Sequence, residues 1–144
     1  MYRVSKQFEF PAGHVLSKHQ GRCRFPHGHN YKVEITLTAE KLDQNDMVCD
    51  FDALKALVSE YLETLDHSIM LNSSDTENRK QQEKNPRRII FENHDPTTEI
   101  IAEKIFKHLQ SALTDSNKYK INPSVKLEKV KVWESSSAYA EYFE

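Results

Sequence analysis

A chain of 144 residues, 38% of them hydrophobic, is long enough for one domain with a real core and too short for two. Its 20 basic and 22 acidic residues nearly cancel, to a net charge of −2, which gives no electrostatic reason to expect nucleic acid or an acidic membrane as partner. No window approaches the roughly 18 apolar residues of a membrane span, and the N-terminus MYRVSKQFEF alternates polar with apolar where a secretion signal runs continuously apolar, so a soluble cytoplasmic protein is expected.

The predicted elements follow in chain order. Residues 2–10 read as a first strand and residues 30–39 as a second, with Tyr31, Val33, Ile35 and Leu37 alternating against Lys32, Glu34, Thr36 and Thr38. Between them, residues 11–29 have loop composition with four histidines and a cysteine, an unusual load of ligand-type side chains. Phe51, Leu54, Val58, Tyr61 and Leu65 step by three and four, which predicts a helix N-capped by Asp50. Residues 72–88 are so polar that they read as a solvated, mobile insertion in a single domain spanning 1–144. A short strand at 87–92 and a second helix, capped by Thr97 or Thr98 and running to about Leu113, come next. Strands at 125–134 and 138–143, joined by Ser135-Ser136-Ser137, close the chain. The order predicts an α+β fold with mainly antiparallel pairing.

His27-Gly28-His29 leads into the second strand, and strand side chains two apart share a face, so both imidazoles can reach one metal ion. Gly28 is expected to relax the backbone between them. His14, at the end of the first strand, is the natural third ligand if the two strands pair. Three imidazoles with an open position are the pattern of catalytic zinc, whereas four protein ligands are the pattern of structural zinc. A lone H-x-H pair is more often accidental; the third histidine and nearby Cys23 strengthen it. His19, His94 and His108 lack such company and read as solvent-facing or packing residues.

Cys23, between Arg22 and Arg24, suits a base or nucleophile, or alternatively a fourth ligand closing a structural site. Cys49 reads as an ordinary half-buried residue, and two cysteines in such different contexts do not suggest a disulfide framework. Asp66-His67 falls at the end of the first helix, where it reads as a C-cap or as an oriented acid–base pair. Glu134 shares strand parity with Val130 and Val132, so its carboxylate faces an apolar side and needs a partner there. Glu99, alone, is a dipole-favourable residue in the first turn of the second helix.

Together these residues resemble the 6-pyruvoyltetrahydropterin synthase and 6-carboxytetrahydropterin synthase superfamily. The resemblance runs through F-x-x-x-H at 10–14, C-x-x-x-H-G-H-N-Y at 23–31, L-D-H at 65–67, P-T-T-E at 96–99 and W-E at 133–134. It implies the tunnelling fold (T-fold), a four-stranded antiparallel sheet with two helices on one face. Three subunits then close a barrel, and two such rings form a homohexamer with active sites between subunits. It also implies Zn2+ on His14, His27 and His29, with Cys23 as general base and Asp66 and His67 as a relay pair from a neighbouring subunit. Glu134 would serve the relay or the pterin, and Glu99, with Thr98, would bind the guanidine-like edge of a small pterin substrate. The three residues between Cys23 and His27 resemble the bacterial carboxy-type enzymes of queuosine biosynthesis. Those form 6-carboxy-5,6,7,8-tetrahydropterin from 7,8-dihydroneopterin triphosphate. The alternatives are the pyruvoyl-type elimination or a non-catalytic zinc- or pterin-binding module.

Overall fold

The computed structural model describes residues 1–115 and 118–144. Its strands are β1 (Tyr2–His14), β2 (His27–Ala39), β3 (Ser68–Asn72), β4 (Arg88–Phe91), β5 (Lys126–Trp133) and β6 (Tyr139–Phe143). They form one sheet in the order β4-β3-β1-β2-β5-β6. β1 and β2 are antiparallel over their full length, from Tyr2 opposite Ala39 to His14 opposite His27. β2 pairs antiparallel with β5, and β5 with β6. Both central strands reach further than local composition suggests, because residues 11–14 and 27–30 satisfy one another's backbone groups in the ladder. Residues 11–14 and 27–29, seven of the nineteen in the ligand-rich segment read as loop, are therefore strand.

The sheet has six strands, against the four that the resemblance implies and the five that the residue pattern predicts, and β3 and β4 join it in parallel to β1. The missed strand, Ser-Ile-Met-Leu-Asn, is five residues long and largely buried on both faces. It shows no alternation for that reason, as is usual for parallel strands.

Helices α1 (Phe51–Leu65) and α3 (Thr98–Leu113) lie where the periodicity predicts, with α2 (Thr76–Gln81) between them in the chain. The Asp50 carboxylate accepts from the Asp52 N–H at 2.7 Å, and the Thr97 hydroxyl accepts from the Ile100 N–H at 3.3 Å, which satisfies a free donor in each first turn. Leu54, Leu57, Val58, Leu62 and Leu65 of α1, with Ile101, Ile105, Phe106 and Leu109 of α3, pack with Phe10, Tyr31, Val33, Ile35, Val130 and Val132 in one core. Each such side chain contributes about 1.5–3 kcal/mol on burial. Among the described residues no helix is long and apolar enough to cross a membrane.

Residues 72–88, expected as a mobile insertion, are folded. Asn72 is buried, Asp75 caps α2 by accepting from Asn78 N–H at 3.3 Å, and Arg87 donates to the carbonyls of Glu63 (2.8 Å) and Asp66 at the end of α1. The polar side chains that suggested disorder are its caps and anchors.

Asp95 ties this region to the ligand-rich segment. Its buried carboxylate accepts from Ser17 Oγ (2.5 Å), the Lys18 N–H (2.8 Å) and Asn72 Nδ2 (3.0 Å). Burial alone would raise its pKa, but the bonds from Ser17, Asn72 and Lys18 outweigh that and hold it below the ordinary carboxylate range. Asp95→Ala leaves three donors unpaired and is expected to cost about 3 kcal/mol in chemical denaturation; a loss below about 1 kcal/mol would contradict the anchoring role.

Candidate metal centre

In an antiparallel pair, opposing residues project to the same face. His14 opposes His27, and Ala12 opposes His29, so the pairing puts all three imidazoles on the face that carries Phe10, Ala12, Tyr31 and Val33. They continue the core alternation to the end of the sheet, where burial falls from complete at Tyr31 and His14 to partial at His29, whose side chain is 25% exposed. Glu134, one residue beyond β5 and on the parity of Val130 and Val132, enters from the other side of β2.

The four side chains converge on one point, with one donor atom from each lying within 4.8 Å of the others. His14 Nε2 is 2.9 Å from His27 Nε2 and 3.2 Å from His29 Nε2. Glu134 Oε1 is 3.3 Å from His14 Nε2 and 3.0 Å from His29 Nε2. Two backbone carbonyls set the ring orientations: His14 Nδ1–H donates to Pro96 O at 2.8 Å and His27 Nδ1–H to Phe25 O at 2.7 Å. With Nδ1 carrying the proton, each of these neutral rings turns an Nε2 lone pair inward.

Lone pairs and a carboxylate oxygen facing one another at this range repel unless a cation lies between them. Four donors arranged tetrahedrally at about 2.0–2.1 Å from a metal sit roughly 3.3 Å apart; four of the six spacings are 2.9–3.3 Å and all lie within 4.8 Å. The set therefore fits a divalent ion. Burial pushes the His14 and His29 imidazoles below their ordinary value, outweighing the Pro96 carbonyl, which favours the protonated ring at His14, and Glu134, which favours it at both. Both rings are therefore held in the neutral form that binds metal.

The remaining candidates are placed as follows. Cys23 lies on a short 3-10 turn (Arg22–Arg24), half-buried, and it does not join the converging group; Glu134 takes the place that the four-ligand alternative gave to the cysteine. Asp66 is the C-cap of α1, and His67 follows in left-handed backbone (φ 56°), its N–H donating to Pro11 O at 2.7 Å. Their side chains bond to each other at 2.9 Å, with that of His67 76% exposed, and among the described residues neither bonds to Cys23. Thr98 is half-buried and Glu99 exposed at the start of α3, two and three residues after the carbonyl that orients His14.

Gly28 sits in ordinary extended strand with no positive φ, so the two imidazoles converge through strand parity and not through unusual backbone angles. The crowded glycine is Gly13, where a Cβ would lie 2.9 Å from Ile69 Cδ1 and 3.3 Å from His27 O. The orienting roles of the Pro96 and Phe25 carbonyls and the anchoring role of Asp95 were missed, since a backbone acceptor has no residue-type signal and Asp95 stands outside the motifs. So was the Tyr31 hydroxyl, fully buried without a partner beside His14 and His29.

Fold and site together define a T-fold protein in which three histidines and one glutamate are grouped as a candidate metal site. Residues 3–144 match the model of the family described as 6-pyruvoyl tetrahydropterin synthase. A Rickettsia conorii protein named 6-carboxy-5,6,7,8-tetrahydropterin synthase is 38% identical over 104 residues, covering 71% of this chain and 75% of that protein. A Rickettsia bellii protein of the same name is 30% identical over 98% of this chain and 99% of its own length. Among solved structures, 6-pyruvoyl tetrahydropterin synthase from Caenorhabditis elegans superposes with a TM-score of 0.69 at 26% identity, covering 99% of this chain and 95% of that one. The chain belongs to the 6-pyruvoyl tetrahydropterin synthase family and is an enzyme of its lyase class.

An imidazole whose folded-state pKa lies below its unfolded value binds protons less readily when folded. The associated stability is therefore full above the unfolded value, 6.5, and declines as pH falls through it. Metal-free protein is accordingly expected to lose denaturation midpoint between about pH 7.5 and 5, and His14→Gln to flatten that slope. A midpoint insensitive to pH across the window would contradict the buried neutral pair.

Proposed function

We propose that the chain converts 7,8-dihydroneopterin triphosphate to 6-carboxy-5,6,7,8-tetrahydropterin with release of acetaldehyde and triphosphate, as a zinc-dependent carbon–carbon lyase of queuosine biosynthesis. The observation that carries this reading is the near end-to-end likeness to a relative named for that product, at 30% identity. The donor set supports zinc among divalent ions, since imidazole with one carboxylate is a zinc combination. When bound, the ion supplies positive charge that acidifies the hydroxyls of the substrate side chain.

The chain's own residues do the rest. The Glu99 carboxylate accepts two parallel N–H bonds from the pterin's guanidine-like edge, with Thr98 beside it. Cys23 takes one proton from the side chain. The Asp66-His67 pair moves another, and the exposure of His67 on its own chain supports service to a neighbouring subunit. On this reading His14, His27 and His29 hold the ion, and Glu134, beside them, leaves the ion's fourth position open to the substrate and serves as the carboxylate at the reacting end of the pterin. This division of labour puts each site between subunits, in keeping with a homohexamer built as a dimer of trimers.

The pyruvoyl-type reaction, elimination of triphosphate with internal redox and no carbon–carbon cleavage, is the second reading. The name of the matched family and of the C. elegans structure favours it. Incubating zinc-loaded protein with 7,8-dihydroneopterin triphosphate is expected to give 6-carboxytetrahydropterin and acetaldehyde by mass spectrometry. A pyruvoyl product would select the second reading, and no turnover would count against both. Cys23→Ala is expected to keep its metal and lose turnover by about 10²–10⁴-fold; loss of the metal would instead make Cys23 a ligand.

A further inference from the structure

We propose that Arg22 and Arg24 form a subsite for a condensed phosphate beside the metal centre, which on the reading above receives the substrate's triphosphate. The first observation is charge segregation. The chain carries 22 acidic residues, yet none falls between Phe10 and Val33, while Lys18, Arg22, Arg24 and Lys32 do. A merely solvated surface intersperses both signs.

The second observation is the state of the guanidinium groups. Arg3 is bound to Glu128, Arg79 to Ser73 O, Arg87 to Glu63 O and Arg88 to Asn85 O. Among the described residues Arg22 and Arg24 alone of the six arginines have no side-chain hydrogen bond or ion pair. Each keeps a planar fork of five N–H donors, the group best suited to bidentate contact with phosphoryl oxygens. The acids bonded to this segment are engaged elsewhere: Asp95 spends its oxygens on Ser17, Lys18 N–H and Asn72, Glu134 faces His14 and His29, and Glu9 accepts from Asn30, so none neutralises either arginine.

The third observation is position. The turn is held by Leu16 N–H to Cys23 O at 2.9 Å, Arg24 N–H to Gly21 O at 3.2 Å and Phe25 N–H to Arg22 O at 3.0 Å. The next carbonyl, Phe25 O, orients His27. Arg24 thus stands three residues from a metal-centre imidazole, at most about 10 Å along the chain. Arg22 and Arg24 flank the cysteine of the same site, so a ligand anchored at the imidazoles leaves its charged tail within reach of both. Two guanidinium forks are two separate positive groups, and a condensed phosphate offers oxygens enough for both.

The test titrates inorganic triphosphate into metal-free wild-type protein and the double variant Arg22→Ala/Arg24→Ala, with Lys55→Ala/Lys80→Ala as a charge-matched control of two exposed lysines. Binding by wild type and control that weakens about tenfold or more in the arginine variant, with partial recovery in Arg22→Lys/Arg24→Lys, is the expected result. With zinc-loaded enzyme, KM for 7,8-dihydroneopterin triphosphate is expected to rise by a similar factor while metal content stays at the wild-type value. Equal triphosphate affinity in wild type and arginine variant, or an equal loss in the lysine control, would overturn the subsite. If the wild type turns over no pterin yet binds triphosphate through the arginines, the reaction assignment falls and the subsite stands.

Discussion

The register of β1 against β2 is the constraint on which everything else rests. With His14 opposite His27 and Ala12 opposite His29, three imidazoles share one face and one end of the sheet. A slip of one residue would send one strand's imidazoles to the opposite face and dissolve the group. The register is locked by the same alternation that builds the core. Phe10 pairs with Tyr31 and Phe8 with Val33, and that face packs against α1 and α3. The hydrophobic core thus aims the metal centre: its free energy fixes where the polar side chains converge, and the imidazoles extend the pattern by two further pairs.

Around that frame the carbonyls of Pro96 and Phe25 hold His14 and His27 in the tautomer that turns Nε2 inward. They come from the start of α3 and the turn after Cys23, the same two segments that present Glu99 and the cysteine. Orientation of the converging imidazoles and placement of Cys23 and Glu99 are therefore coupled through the backbone. Asp95 fastens the start of α3 to Ser17 and Lys18, and the bond from the Leu16 N–H to Cys23 O carries that tie on to the turn, so a change at this buried acid reaches the site without touching it.

Much of this was legible in the residue order. Strand parity was enough to place His27 with His29 and to give Glu134 an inward carboxylate, and helical spacing located α1 and α3 with their caps. Strand β3 was not legible, because a five-residue segment buried on both faces has no period to read. The folded state of 72–88 was hidden for the opposite reason: its Asp75 and Arg87 look like solvated charge until the helix ends they cap are in view. That Glu134, and not Cys23, completes the converging group depends on the pairing of β2 with β5, a contact between residues about a hundred positions apart.

The claim that four convergent donors surround a cation is tested most directly by metal analysis of protein purified without chelator and without added metal. One equivalent of a divalent ion per chain, lost in His27→Ala while the fold is retained by circular dichroism, is the predicted result. Wild-type protein that is folded, carries no stoichiometric metal and takes up none from a zinc solution would contradict it.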